Sequence, residues 1–182
     1  GPNTFFQNNV HLLLPLLDDV ASAVTKDQRP TTKESEKSSF VVADLYGGVG
    51  TIALHLADHV GQITCVESFE ESARLGELNI AANGTTNVAM AHAETLDFLR
   101  EQPAGRFSTL VADPPRTGLG PDVCRELLRL RPDRLVYVSC NALTQLEDAR
   151  ALAPGFRLTE LRGYDMFPQT PHMEALAVFD RV

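Results

Sequence analysis

Five times between residues 39 and 152, a short run of β-branched and apolar residues gives way to a stretch with helical spacing. The runs 39–45, 62–67, 87–91, 107–113 and 135–139 read as strands, and 51–59, 70–83, 95–102, 122–130 and 144–152 as helices. Such alternation predicts an α/β fold of the Rossmann-like kind, a doubly wound, mostly parallel sheet with helices on both faces. Two late strands, 156–163 and 173–180, complete it, with a C-terminal antiparallel strand. An apolar helix precedes the first strand, because Leu12, Leu13, Leu16, Leu17, Val20 and Val24 recur at helical spacing. The stretch 25–39 is polar, charged and without periodicity, and reads as a mobile loop inside one domain spanning 1–182.

Charge and cysteine usage narrow the partners. The chain holds 16 Lys and Arg against 24 Asp and Glu, a net charge of −8. A protein that grips nucleic acid on its own usually carries a basic balance or patch. An RNA substrate would therefore need a local patch or a module outside this chain. Cys65, Cys124 and Cys140 have no metal-ligand spacing and no even pairing, which suits free thiols in a cytoplasmic setting and predicts no metal. No apolar run is long enough to span a bilayer, and there is no signal peptide. Gly1-Pro2 matches a protease remnant, so the chain is read as an excised domain.

Two strand ends carry the chemistry. Asp44-Leu45-Tyr46-Gly47-Gly48-Val49-Gly50-Thr51 joins the first strand to the next helix, and its glycines let backbone pass close to a ligand. Glu67 ends the second strand, where a carboxylate can accept both hydroxyls of an unphosphorylated ribose. Cys140 ends the fifth strand, and Asn141 is suited to cap the helix that follows. A lone cysteine is most often a small buried hydrophobe. A thiol at a strand end near a helix N-terminus is instead open to activation as thiolate. Cys65 and Cys124 are expected to pack inside a strand and a helix.

The acidic-x-aromatic-x-Gly-x-Gly turn followed by Glu67 resembles class I S-adenosylmethionine-dependent methyltransferases. Five further stretches narrow the likeness: Phe5-Phe6-Gln7-Asn8-Asn9, Asp113-Pro114-Pro115-Arg116-Thr117-Gly118, Val138-Ser139-Cys140-Asn141, Asp165-Met166-Phe167-Pro168-Gln169-Thr170 and His172-Met173-Glu174. In this order they resemble the catalytic domain of the RNA uracil-5-methyltransferases, which make 5-methyluridine in tRNA and ribosomal RNA. The resemblance implies that Gln7, Tyr46, Gly48, Gly50, Thr51, Glu67 and Asp113 contact S-adenosylmethionine or line its pocket. It implies Cys140 as nucleophile and Glu174 as general base. Asp113 is also a candidate for the uracil ring N–H, and Arg116 for a substrate phosphate. Phe5, Phe6 and Phe167 are candidates for stacking on an extruded base or for core packing. His172 is read as structural.

The pattern has departures. Gly47 stands where the family often has Cys, Ala142 where Pro is usual after Ser-Cys-Asn, and Glu147 where Arg commonly precedes the Asp, here Asp148. The family often carries an N-terminal RNA-binding barrel and a central insertion, neither of which is in this sequence. Two rivals stay open. A cytosine-5-methyltransferase uses the same thiolate logic, although its RNA form usually has Cys after Asp-x-Pro, where Pro115 and Arg116 stand here. A non-catalytic RNA-binding or chaperone-like module would keep the fold without turnover.

Overall fold

The computed structural model describes residues 10–26, 40–166, 169 and 173–182. Seven strands form one sheet: β1 Val41–Leu45, β2 Gln62–Glu67, β3 Val88–His92, β4 Thr109–Ala112, β5 Arg134–Ser139, β6 Phe156–Tyr164 and β7 Glu174–Arg181. Their order is β3-β2-β1-β4-β5-β7-β6. The first five run parallel, and β7 enters antiparallel between β5 and β6. The helices are α1 Val10–Thr25, α2 Thr51–Leu56, α3 Glu70–Asn83, α4 Thr95–Glu101, α5 Gly120–Leu130 and α6 Ala142–Leu152.

Alternation along each strand divides the core into two layers. Val42, Val136, Val138, Leu176 and Val178 face one side, with Val20 and Val24 of α1 and Leu56 of α2. Ala43, Leu45, Leu135, Tyr137, Ala177 and Phe179 face the other, with Leu99 of α4, Leu127 of α5 and Leu152 of α6. All six residues of β5 are buried, as a central strand covered on both faces requires. Chain order reverses between β1 and β4, and ligands of open α/β sheets bind at such a switch point, outside the carboxyl ends of the strands.

Several boundaries differ from the sequence expectation. The polar loop was expected to begin at Thr25, but Thr25 completes α1 and its hydroxyl donates to the Ala21 carbonyl at 2.8 Å. Residues 27–39 lie outside the described residues. Helix α2 stops at Leu56 rather than continuing to His59. Helix α5 begins at Gly120, two residues before the expected Asp122, because Pro121 suits a first turn and Asp148 receives the N–H groups there. Helix α6 begins at Ala142, where Asn141 caps it as expected. Arg134 fixes the end of α1: it donates to Asp180 at 2.6 Å and to the carbonyls of Ala23 and Lys26 at 2.9 Å each.

Candidate active site

The donor side is built where β1 meets β2 and β4. Leu45 pairs with both Val66 and Ala112. The next residues along, Tyr46, Glu67 and Asp113, therefore stand side by side at the carboxyl edge. Tyr46 turns the chain with a φ of 61°, a left-handed conformation uncommon outside glycine, and Gly48 and Gly50 continue it at 57° and 85°. A Cβ at Gly48 would meet nothing within 4 Å, so the turn's backbone lies open on that side. Glu67 locks the turn: its carboxylate accepts from the N–H of Gly48 at 2.9 Å and of Phe69 at 2.7 Å. Thr51 is the first residue of α2.

Gly47 differs in kind from the two glycines after it. Its φ is not positive, but a Cβ there would lie 2.3 Å from the Cys65 sulfur and 3.0 Å from Asp44 Oδ2. The volume of a larger residue at 47 is taken up by the buried thiol of Cys65, on the neighbouring strand. Cys65 and Cys124 both pack in the core as expected, at 0% and 1% exposure.

Sequence reasoning named Asp44 only as part of the turn. The structure buries it completely. Its Oδ2 accepts from the Ala53 N–H in α2 at 3.1 Å, and its Oδ1 has no hydrogen-bond partner among the described residues. Burial pushes its pKa up to about 7; the Ala53 bond lowers it and the Glu67 charge raises it further. Asp113 is half-buried. Burial, then the charges of Glu174 and Asp44, push it up to about 8. Carboxyl groups gathered beside an open glycine turn repel one another when ionised, and a ligand carrying positive charge relieves that repulsion. Burial also raises the Tyr46 phenol above its usual value, against a hydrogen bond with Thr95.

The nucleophile side lies one strand over. Ser139 of β5 pairs with Ala175 of β7. Cys140 follows Ser139 and Glu174 precedes Ala175, so the two occupy the next rung beyond the last pair. Cys140 is a free thiol and partly exposed; Glu174 is 2% exposed. Asn141 accepts from the Leu143 N–H at 3.1 Å and donates its side-chain amide to the Arg116 carbonyl at 3.1 Å. The Thr144 hydroxyl reaches the same carbonyl at 3.2 Å. The loop carrying Asp113, Pro114, Pro115 and Arg116 is thereby tied to the loop carrying Cys140. The Arg116 backbone is an anchor, while its side chain is exposed.

Two buried polar residues of α6 complete the frame. Gln145 donates to the Tyr137 carbonyl at 3.1 Å and to the Ala175 carbonyl at 3.4 Å, bridging β5 and β7 beside Glu174. Asp148 accepts from the N–H groups of Leu119 at 2.7 Å and Gly120 at 3.0 Å, and from the Tyr137 hydroxyl at 2.8 Å. Sequence reasoning assigned neither residue a role. The only signal was their spacing with Leu152, at i, i+3 and i+7, which puts all three on one helical face. Glu147, beside them, is exposed.

Gln7, Phe5, Phe6, Phe167 and His172 lie outside the described residues. No group of metal-ligating side chains occurs among the described residues, nor is any described helix long and apolar enough to cross a membrane.

The sheet, with its antiparallel β7, and the glycine turn at the switch point define the class I methyltransferase fold. A solved S-adenosylmethionine-dependent methyltransferase of Agrobacterium tumefaciens shares that fold, with a TM-score of 0.64 at 16% identity over 92% of this chain and 61% of its own. The model of the family described as tRNA (uracil-5-)-methyltransferase matches residues 3–182, and the chain belongs to that family. An uncharacterized RNA methyltransferase of Thermotoga maritima is 34% identical over 174 residues, covering 95% of this chain and 37% of the relative. The crystal structure of Pyrococcus abyssi tRNA (uracil-54, C5)-methyltransferase in complex with S-adenosyl-L-homocysteine superposes with a TM-score of 0.81 at 31% identity. It covers 98% of this chain and 40% of that one. This chain thus spans about two fifths of the length of these relatives.

Proposed function

We propose that this chain is the catalytic domain of an enzyme that methylates carbon 5 of a uridine in RNA, tRNA or ribosomal, with S-adenosylmethionine as methyl donor. The observation that carries this reading is the rung shared by Cys140 and Glu174, a thiol and a buried carboxylate at facing ends of paired strands. When bound, S-adenosylmethionine supplies an electrophilic methyl group. Glu67 accepts the ribose hydroxyls, since each of its oxygens spends one lone pair on a backbone N–H and keeps another. The open backbone at Gly48 and Gly50 admits the donor closely, Tyr46, Thr51 and Gln7 line its pocket, and Asp44 and Asp113 suit its positive charge.

Carbon 5 of uracil is a poor nucleophile until a thiolate adds to carbon 6. Cys140 forms that bond, and its electron pair moves through the ring to make an enolate. Carbon 5 then takes the methyl group, and the electron pair of the broken carbon–sulfur bond stays with the donor sulfur. Glu174 removes the proton left on carbon 5, the enolate re-forms, and the bond from Cys140 to carbon 6 breaks to release the product. Asp113 stands between donor and base, and Arg116 binds a phosphate of the substrate. An RNA-binding region outside this chain supports recognition, and the setting is cytoplasmic. The test is nucleoside mass spectrometry after incubating the protein and S-adenosylmethionine with RNA from cells lacking 5-methyluridine. The reading expects 5-methyluridine to form; 5-methylcytidine in its place would overturn it.

A further inference from the structure

We propose that a groove at the amino-terminal edge of the sheet, lined by Arg106, Arg131 and Arg181, binds backbone phosphates of the RNA substrate far from the reacting uridine. This rests on the RNA reading above and adds a second contact region to it. The groove has a volume of about 420 Å³ and lies between the turn before β4, the turn before β5 and the end of β7. Its walls are tied together by backbone hydrogen bonds. The Gly105 N–H donates to the Leu130 carbonyl at 2.8 Å, the Asp133 N–H to Ser108 at 2.9 Å and the Arg181 N–H to Asp133 at 3.0 Å. A ligand therefore meets a preformed surface.

Three arginines gather around the groove. The chain is acidic overall, and Arg100, Arg125, Arg129, Arg134 and Arg162 each pair with a carboxylate. In the groove three guanidinium groups face one carboxylate, Asp133, which pairs with Arg181. Arg106 and Arg131 have no carboxylate partner among the described residues, and both are exposed. Arg131 also holds a backbone that arginine does not favour. It is the C-cap of α5, at φ 54° and ψ 50°, a position where glycine is the usual occupant. Arg129, in the last turn of α5, is turned away from the groove and donates to the carbonyls of Leu99 and Gln102 at the end of α4. What Arg131 adds is a planar fork at the groove, a geometry that matches phosphate oxygens.

Position identifies the anion as part of a long ligand. The groove lies at the start of β5 and Cys140 just past its end, six steps of about 3.3 Å, or roughly 20 Å, apart along the strand. A mononucleotide does not reach both ends. An extended or folded RNA does, and a local basic patch adds to the phosphate contact proposed for Arg116.

The experiment measures binding of bulk tRNA lacking 5-methyluridine to this chain, as a function of salt, for the wild type and for Arg106→Ala/Arg131→Gly. Glycine suits the left-handed backbone at 131, so the double variant keeps its fold, which circular dichroism checks. Arg74→Ala, an exposed arginine on α3 near the other edge of the sheet, is the control. The double variant should bind about tenfold more weakly at low salt, and the slope of log affinity against log salt should fall by about 1.5. The control should match the wild type. Unchanged affinity, or weaker binding at an unchanged salt slope, would overturn the proposal. So would inorganic phosphate saturating the groove, by NMR shifts of Gly105 and Ser108, while RNA leaves those shifts untouched. Failure of the methyltransferase reading is seen separately, as absence of 5-methyluridine in the wild-type reaction, and does not alter the binding readout.

Discussion

The Tyr137 hydroxyl, in the middle of the wholly buried β5, donates to Asp148 Oδ2 at 2.8 Å. Through that bond the core of the sheet holds the carboxylate that also anchors the start of α5. Tyr137→Phe keeps the ring and removes one donor, which is expected to cost about 1–3 kcal/mol in urea unfolding. Asp148→Ala should cost more, because it strands the N–H groups of Leu119 and Gly120 as well. Equal stability of Tyr137→Phe and the wild type would mean that the bond contributes nothing net.

Asp113 gives a pH dependence with a definite sign. Burial first, then Glu174 and Asp44, raise its pKa from 3.8 to about 8. Between those pH values the unfolded chain has lost the proton and the folded chain keeps it, so this group's contribution to stability falls as pH rises. It levels off above the folded value. Asp113→Asn removes the group, so the variant should gain on the wild type between pH 5 and pH 8.5. Denaturant midpoints at both pH values measure the gap; a gap that does not widen would show that the carboxyl is not held neutral.

Gly47 and Cys65 should behave as a coupled pair. A Cβ at 47 would lie 2.3 Å from the Cys65 sulfur, so Gly47→Ala overpacks the strand end by about 1–3 kcal/mol. Cys65→Ala opens the space. The double variant should be more stable than the two single losses added together, which a double-mutant cycle reads directly.

Donor binding should depend on Glu67. Glu67→Ala removes the acceptor proposed for the ribose and frees the N–H groups of Gly48 and Phe69. Calorimetry with S-adenosyl-L-homocysteine should show a loss of about 1–3 kcal/mol. An unchanged affinity would remove Glu67 from the donor pocket.

The covalent mechanism separates two variants at the same rung. Glu174→Gln should methylate the base and then stall, leaving a protein–RNA adduct that survives a denaturing gel. Cys140→Ala should yield neither adduct nor product. Methylation by Cys140→Ala at the wild-type rate would sink the covalent route.

The parallel half of the sheet was legible because strands and helices differ in period, and the glycine turn, Glu67 and Cys140 mark strand ends that sequence can locate. The Asp148 clamp was not legible in the same way. The spacing of Gln145, Asp148 and Leu152 marks one face of α6, but it does not name the partners, Tyr137, Leu119 and Gly120, which come from elsewhere in the chain. Asp44 likewise reads as one more turn residue until the fold shows that no water reaches it. The meeting of Cys140 with Glu174 depends on β7 running back between β5 and β6, a pairing across 34 residues that no local pattern specifies.

That insertion orders events during folding. The last of the seven strands in chain order is second from the edge in space. Until β7 docks, β5 has a bare edge and β6 has no neighbour to pair with. An unpaired edge next to a finished parallel sheet is an invitation to wrong partners. The eight residues of β7 close it, and they bring Glu174 with them as their first residue. The strand that closes the edge is also the one that sets the carboxylate opposite the thiol, so a misplaced β7 costs the sheet and the proposed catalytic pair together.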